Sequence, residues 1–345
     1  MRLSNFEALR IVAMLLVLVV HTCFVSIGRP NSVEIIQEPV LSFWRLYEQS
    51  LASVCVNVFI MISGWFMIKP SFRGLCMFLY QILFFSILIF ITSSILYAFS
   101  YDIPYFKCSH FSFRGLVEAS MVVTRYNWFI ASYIILFILS PVLNSFITSA
   151  NRRIFFLTLL SFFILEIYTD YIRGGETAMF DDGYGVLSFI GLYLLSAFLK
   201  KFYHGRLHGK KRFLIYYMLF SLITAALTYF LCRYGYPRRI YQYNSPFIIA
   251  SSVCLFLFFA KMSFNSRFVN WIAASSFAVF LFNVHPLIFN GYKDFNDYIF
   301  QNNIFPIYYL IKAIFVGSFF VFAILLDQFR KYSWNLITKC YINGN

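Results

Sequence analysis

Long apolar segments recur along almost the whole chain, and this pattern restricts the fold more than any other feature. About 20 apolar residues in a helix are needed to cross the hydrocarbon core of a bilayer. Windows of that length predict an all-α integral membrane protein, a bundle of about ten transmembrane helices. The predicted spans cover residues 8–27, 49–68, 75–98, 127–147, 153–168, 185–202, 213–232, 246–260, 275–290 and 306–329.

Composition supports lipid as the solvent for these segments. Apolar residues make up 61% of the chain and charged residues 12%, whereas a soluble domain carries about 25% charged residues. A soluble fold of 345 residues has too much surface to hide so many apolar side chains. Since no internal repeat, low-complexity tract or linker divides the sequence, residues 1–345 are predicted to form a single membrane domain.

Basic residues predict the orientation of the chain in the membrane. With the amino terminus in the cytoplasm, 17 of the 28 Lys and Arg residues fall in cytoplasmic segments and 10 in outer loops. This agrees with the excess of positive charge found on cytoplasmic loops, so both termini are predicted to be cytoplasmic. The net charge of +14 is spread over short segments between apolar runs, which argues against nucleic-acid binding. No CxxC or His/Cys cluster appears, and no metal site is predicted.

Three ionisable residues belong to the first predicted span or border it: Arg10 and His21 lie within it, and Glu7 immediately precedes it. Such residues are costly in a membrane and usually face a protein interior or a wet cavity. Arg10 and His21 are eleven residues apart, about 20° past three helical turns, so they share one face and lie roughly 16 Å apart along the axis. Glu7 lies one turn before Arg10, suited to an ion pair. Alternatively, Arg10 is a positive-inside flank and His21 an interfacial residue.

The stretch from residue 2 to His21 resembles the opening of the membrane-bound acyltransferase-3 family. That family has Arg-x10-His in its first span, with an acidic residue three positions before the Arg, and Glu7, Arg10 and His21 match this pattern. Further blocks follow in the family's order over nearly the whole chain. They are the apolar run that reaches Ser63-Gly-Trp, the segment from Trp128 through Tyr133 to Pro-Val-Leu-Asn144, and the late run that ends at His285.

The resemblance implies a polysaccharide O-acetyltransferase of the inner (cytoplasmic) membrane, in contact with membrane lipid. Such an enzyme moves an acetyl group from cytoplasmic acetyl-CoA to a hydroxyl of a cell-surface or lipid-linked saccharide. Arg10, paired with Glu7, would bind CoA phosphates through its planar guanidinium. His21 would act as a general base or carry the acyl group covalently, and the sequence leaves both routes open. The CoA thioester is a co-substrate, and no metal cofactor is implied.

Five further residues are candidates for a supporting or substrate-binding role. His285 either orients His21, contacts the acceptor or bonds a neighbouring backbone group. Ser63 and Asn144 either line the donor entrance or pack helices. Trp128 and Tyr133 either stack on a sugar ring or are ordinary interfacial aromatics.

Other functions give different expectations. A transporter or flippase of a lipid-linked sugar, the main alternative, would be expected to have repeated halves or matching broken helices, and neither is visible. The Glu-x2-Arg-x10-His pattern would also need a separate explanation in a transporter. The retained Arg10 and His21 argue against a sensor that has lost its activity, and a polysaccharide polymerase would be expected to have a large outer catalytic loop with paired basic or acidic groups, which the sequence lacks. The basic stretch from Lys200 to Arg212 contacts either CoA phosphates or anionic lipid, of which lipid is the favoured interpretation.

Overall fold

The computed structural model describes residues 3–101, 103–126, 128–172, 180–203, 209–234 and 240–343, and its regular structure in these ranges is helical. The helices in the described residues are α1 Ser4–Thr22, α2 Ser32–Gln37, α3 Pro39–Ala52, α4 Cys55–Phe66, α5 Phe72–Ala98, α6 Phe113–Tyr126, α7 Trp128–Ser149, α8 Arg152–Ile167, α9 Val186–Phe202, α10 Lys210–Arg233, α11 Pro246–Ala260, α12 Arg267–Ala273, α13 Ser276–Val284, α14 Pro286–Asn302 and α15 Phe305–Asn343. A short π-helix, Tyr168–Ile172, follows α8, and a 3-10 turn, Asp181–Gly183, precedes α9.

Seven helical segments in the described ranges are long and apolar enough to cross a membrane, which confirms the predicted all-α membrane fold. They are Ser4–Thr22, Pro39–Phe66, Phe72–Ala98, Trp128–Ser149, Lys210–Arg233, Arg267–Val284 and Phe305–Thr338. Helices also cover the other three predicted spans, but α8, α9 and α11 have only 16, 17 and 15 residues. The count of ten spans and the cytoplasmic termini therefore stay predictions.

Two predicted spans have different bounds in the structure. The second, predicted at 49–68, is the later part of a longer segment in which a turn at Ser53 separates α3 from α4. The ninth, predicted at 275–290, ends at Val284, and α14 begins at Pro286. Between them His285 is extended, with φ −64° and ψ 129°, because the residue before a proline is pushed out of the helical region.

Side chains and prolines define several helix starts. Asn31 and Asn151 accept backbone N–H groups in the first turns of α2 and α8, and Ser266 does the same for α12. Pro39 and Pro246 occupy the first turns of α3 and α11, where a missing N–H costs no helical hydrogen bond.

The helices form two compact units. The first comprises Met1–Phe24, Gly28–Ser71 and Trp128–Asn265. In it α1 packs against α3, α4 and α11, and α4 packs against α9. The approach of α4 to α9 depends on Gly64, because a Cβ there would lie 2.2 Å from the Tyr193 carbonyl oxygen and 2.3 Å from Ser196 Oγ.

The second unit comprises Val25–Ile27, Phe72–Asn127 and Ser266–Asn345. Its α13 packs against α5, α14 and α15. A buried ion pair lies within α15: Arg330 donates from Nε to Asp327 Oδ1 at 2.5 Å and from Nη2 to Oδ2 at 3.0 Å. The single domain predicted for residues 1–345 stays a prediction.

Candidate functional site

An ion pair in the amino-terminal part of α1 joins two of the predicted residues. Arg10 donates from Nη1 to both carboxylate oxygens of Glu7, at 3.0 and 3.2 Å. The Glu7 side chain is 7% exposed and that of Arg10 37% exposed. Nε and Nη2 of Arg10 donate no hydrogen bond to the residues that the structure describes. Glu7 therefore balances the charge of the guanidinium, and Nε and Nη2 remain able to donate to a further anion.

Ser63 and Tyr133, two further predicted residues, contact each other. Their hydroxyl oxygens, from α4 and α7, are 3.3 Å apart. Arg10 is near enough to act electrostatically on the Tyr133 hydroxyl, and the Tyr133 ring stacks on Phe129 with centroids 6.0 Å apart. The predicted residues thus form two pairs, Glu7 with Arg10 and Ser63 with Tyr133, which are linked by the electrostatic effect of Arg10 on Tyr133.

Asn144 has a different setting. Its side-chain amide donates to the Ile68 carbonyl at 2.8 Å and accepts from the Tyr193 hydroxyl at 2.7 Å. The Tyr193 hydroxyl in turn accepts the Ile68 N–H at 2.9 Å. Asn144 and Tyr193 therefore fix the backbone just after α4, where Met67 has a φ of +56°.

His21 lies in the last turn of α1, partly exposed. Because α1 is a continuous helix from Ser4 to Thr22, its regular geometry places Arg10 and His21 as the spacing predicts. Two α3 side chains meet the same end of α1: Glu48 Oε2 accepts from Cys23 Sγ at 3.0 Å, and Gln49 Oε1 accepts from the Phe24 N–H at 3.4 Å. Glu48 could not be identified from the sequence, since no local pattern links it to α1.

Trp128 belongs to a cluster of three partly exposed rings. Its centroid lies 4.5 Å from that of Tyr184 and 5.9 Å from that of Tyr243, which are 5.1 Å from each other. Burial, with smaller contributions from Asp182 and other groups, raises the pKa of Tyr184. A Cβ at Gly183 would lie 2.7 Å from Asn244 N, so a glycine is needed for the loop before α9 to lie this close to the loop before α11. Tyr184 and Tyr243 were missed because only tertiary packing joins their loops.

His285 lies in the second unit, between α13 and α14. It is 4% exposed, and its Nδ1 accepts the Leu287 N–H at 3.3 Å. This hydrogen bond caps the amino-terminal end of α14. It is also the bond to a neighbouring backbone group that a histidine with a structural role would be expected to make. Within the described residues Nε2 has no hydrogen-bond partner, so a role in the chemistry stays a prediction.

Two cavities of the first unit share Trp65 and Lys200. One, of about 450 Å³, is lined by Gly64, Trp65, Met67, Ile147, Thr148, Ala197, Lys200 and Lys201. The other, of about 420 Å³, is lined by Leu3, Asn5, Phe6, Trp65, Phe66, Lys200, Ala260, Met262, Ser263 and Phe264. The second cavity thus includes residues of the first turn of α1, and Phe6 precedes Arg10 by about one turn. Residues 204–208 of the predicted basic stretch lie outside the described residues.

The seven long apolar helices define a multi-pass membrane protein. A sequence-family model described as an acyltransferase domain matches residues 3–327. The chain belongs to the acyltransferase-3 family and is an acyltransferase. No curated protein and no solved structure matches it. The family match gives no support to the transporter alternative.

Proposed function

We propose that this acyltransferase is an O-acetyltransferase of the inner membrane that moves an acetyl group from cytoplasmic acetyl-CoA to a saccharide hydroxyl. The acceptor is a cell-surface polysaccharide or a lipid-linked glycan. The observation that carries the proposal is the arrangement of α1 in a member of this family. One continuous helix holds Arg10, with unused N–H groups, and His21 roughly 16 Å further along the same face.

The Glu7–Arg10 pair provides the donor end of the proposed site. A guanidinium forms strong paired hydrogen bonds with phosphate oxygens, and Arg10 has Nε and Nη2 available for them. Glu7 holds the guanidinium in place from the other side. The pantetheine arm of CoA, of similar length to the separation of Arg10 and His21, then runs along the apolar face of α1 and brings the thioester to His21.

His21 supports two routes of acyl transfer. As a general base, it takes the proton from the sugar hydroxyl while that oxygen attacks the thioester carbonyl. The C–S bond then breaks, and the leaving CoA thiolate takes up the proton. As a nucleophile, a ring nitrogen of His21 attacks the thioester carbonyl, the C–S bond breaks, and the CoA thiolate takes up the imidazole N–H proton. The sugar oxygen then attacks the acetyl-imidazole, the N–C bond breaks, and the hydroxyl proton passes to the regenerated histidine.

The ring cluster of Trp128, Tyr184 and Tyr243 is the proposed contact for the acceptor. Partly exposed aromatic faces offer a large apolar area beside polar groups, a combination suited to a sugar ring. Gln242 Nε2 donates to Asp182 Oδ2 at 3.1 Å beside the cluster, and these two side chains supply donors and acceptors for hydroxyl groups.

Transfer of radiolabelled acetyl from acetyl-CoA to the host's surface glycan, in membranes that contain the protein, tests this function. Wild type is expected to label glycan, and His21→Ala and Arg10→Ala are expected to lose the label at normal protein levels. His110→Ala, which removes an exposed histidine of the second unit, is the matched control and should retain it. Labelling that survives His21→Ala would refute the role of His21. Wild-type protein that labels no glycan would count against the acetyl donor or the saccharide acceptor.

A further inference from the structure

Lys200, at the carboxy-terminal end of α9, is an exposed cation that makes one hydrogen bond to the part of the chain that the structure describes. Its Nζ donates to the Trp65 carbonyl at 2.7 Å and lies 5.8 and 5.5 Å from the ring centroids of Trp65 and Phe66. An ammonium group has three N–H donors. Within the described residues Nζ has that one acceptor and no carboxylate partner.

The next residue, Lys201, makes a contrasting set of contacts. Its Nζ donates to the carbonyl oxygens of Ile147, Thr148 and Ala150 at 2.7, 3.0 and 2.9 Å. These bonds use all three donors and satisfy carbonyl groups at the end of α7, where a cation is favoured. Lys201 therefore has a structural task, whereas Lys200 keeps its charge and two donors for another group.

Lys200 and Trp65 line both of the cavities described above. Their volumes, about 450 and 420 Å³, fall in the range of small-molecule sites. The cavity that contains Phe6 also presents Phe66 and Phe264, each 39% exposed. A base can stack on such exposed rings, and a phosphate can bind the ammonium beside them.

We propose that the two cavities beside Lys200 form the subsite for the phosphorylated adenosine of the CoA donor, with Lys200 as a phosphate ligand. This rests on the proposed function, because it assumes that CoA is the donor. The subsite lies next to the first turns of α1, so a nucleotide there leaves the rest of CoA to pass Arg10 and follow the helix. For Lys200, the proposal differs from the interpretation favoured on sequence, in which the basic stretch from Lys200 to Arg212 contacts anionic lipid.

Binding of CoA to purified full-length protein in phosphatidylcholine nanodiscs, which contain no anionic lipid, tests the subsite. Lys200→Met keeps the aliphatic stem and removes the charge, and should weaken CoA binding by roughly ten- to a hundred-fold. It should leave the affinity for pantetheine, which lacks the nucleotide, unchanged. Lys200→Arg should restore most of the CoA affinity. Lys211→Met, an exposed lysine of α10 that lines neither cavity, should bind as wild type does.

The remaining outcomes separate this subsite from its rivals. If Lys200→Met binds CoA as wild type does but retains less phosphatidylglycerol in mixed-lipid nanodiscs, Lys200 binds lipid and the subsite is refuted. Equal losses for CoA and pantetheine would show a general structural effect and refute it as well. Wild-type protein that binds neither ligand would overturn the CoA donor of the proposed function, and the subsite with it.

Discussion

Within the Glu7–Arg10 pair, removal of Arg10 should destabilise the protein more than removal of the charge on Glu7. The carboxylate is nearly buried, with 7% of its side chain exposed, whereas the guanidinium is 37% exposed. Arg10→Ala leaves an uncompensated charge in the apolar interior, which costs on the order of 3–5 kcal/mol for a buried pair. Glu7→Gln leaves the charge on a side chain that reaches solvent, so the expected cost falls to about 1 kcal/mol.

The double variant Glu7→Gln/Arg10→Ala separates stability from chemistry. It removes both charges and should be more stable than Arg10→Ala alone, because no buried ion remains. If Arg10 binds the donor, acetyl transfer should stay absent in the double variant although stability returns. Thermal unfolding of the purified proteins in detergent, measured beside label transfer in membranes, gives both quantities.

Two results would contradict this reasoning. A double variant as unstable as Arg10→Ala would mean that the buried charge of Glu7 is not what destabilises the single variant. Acetyl transfer that recovers together with stability would mean that Arg10 has a structural role only.

Four further variants follow from the surroundings of single residues, and thermal unfolding measures the stability of each. Gly64→Ala should destabilise the protein by about 1–3 kcal/mol, because its Cβ would meet the Tyr193 carbonyl, whereas Gly317→Ala, with nothing within 4 Å, should stabilise α15 by up to about 1 kcal/mol. Asn144→Leu should cost about 1–3 kcal/mol, since it leaves the Tyr193 hydroxyl and a backbone carbonyl with fewer partners. Lys201→Met should cost about 1 kcal/mol through the loss of the α7 cap, without the selective loss of CoA affinity expected of Lys200→Met.

The helices could be predicted from the sequence because their cause is local. An apolar run of about 20 residues has few stable alternatives to a helix in lipid, and the face shared by Arg10 and His21 follows from helical geometry alone. Pro286 could also have set the end of the ninth span, since a proline disfavours the helical conformation of the residue before it. The turn at Ser53 had no comparable signal, because apolar residues continue through it.

The contacts around the site could not be predicted, because they depend on which helices become neighbours. Ser63 and Tyr133 are far apart in sequence, and nothing in either segment indicates that their hydroxyl groups meet. The same holds for Glu48 at the end of α1 and for Tyr184 beside Trp128. A sequence identifies polar residues that are costly in a membrane, but their partners come from packing.

Cations that stabilise the fold use more of their hydrogen-bond donors on protein groups than the two cations of the proposed donor site do. Arg330 binds both oxygens of Asp327 through Nε and Nη2, and Lys201 uses all three of its donors on α7 carbonyl groups. Arg10 uses only Nη1, and Lys200 only one N–H, among the described residues. Lys200 is exposed and the Arg10 side chain is 37% exposed, so their remaining donors reach solvent and are accessible to a ligand. The proposed donor site assigns the remaining donors of Arg10 and Lys200 to the phosphate groups of CoA, which a guanidinium and an ammonium group both bind.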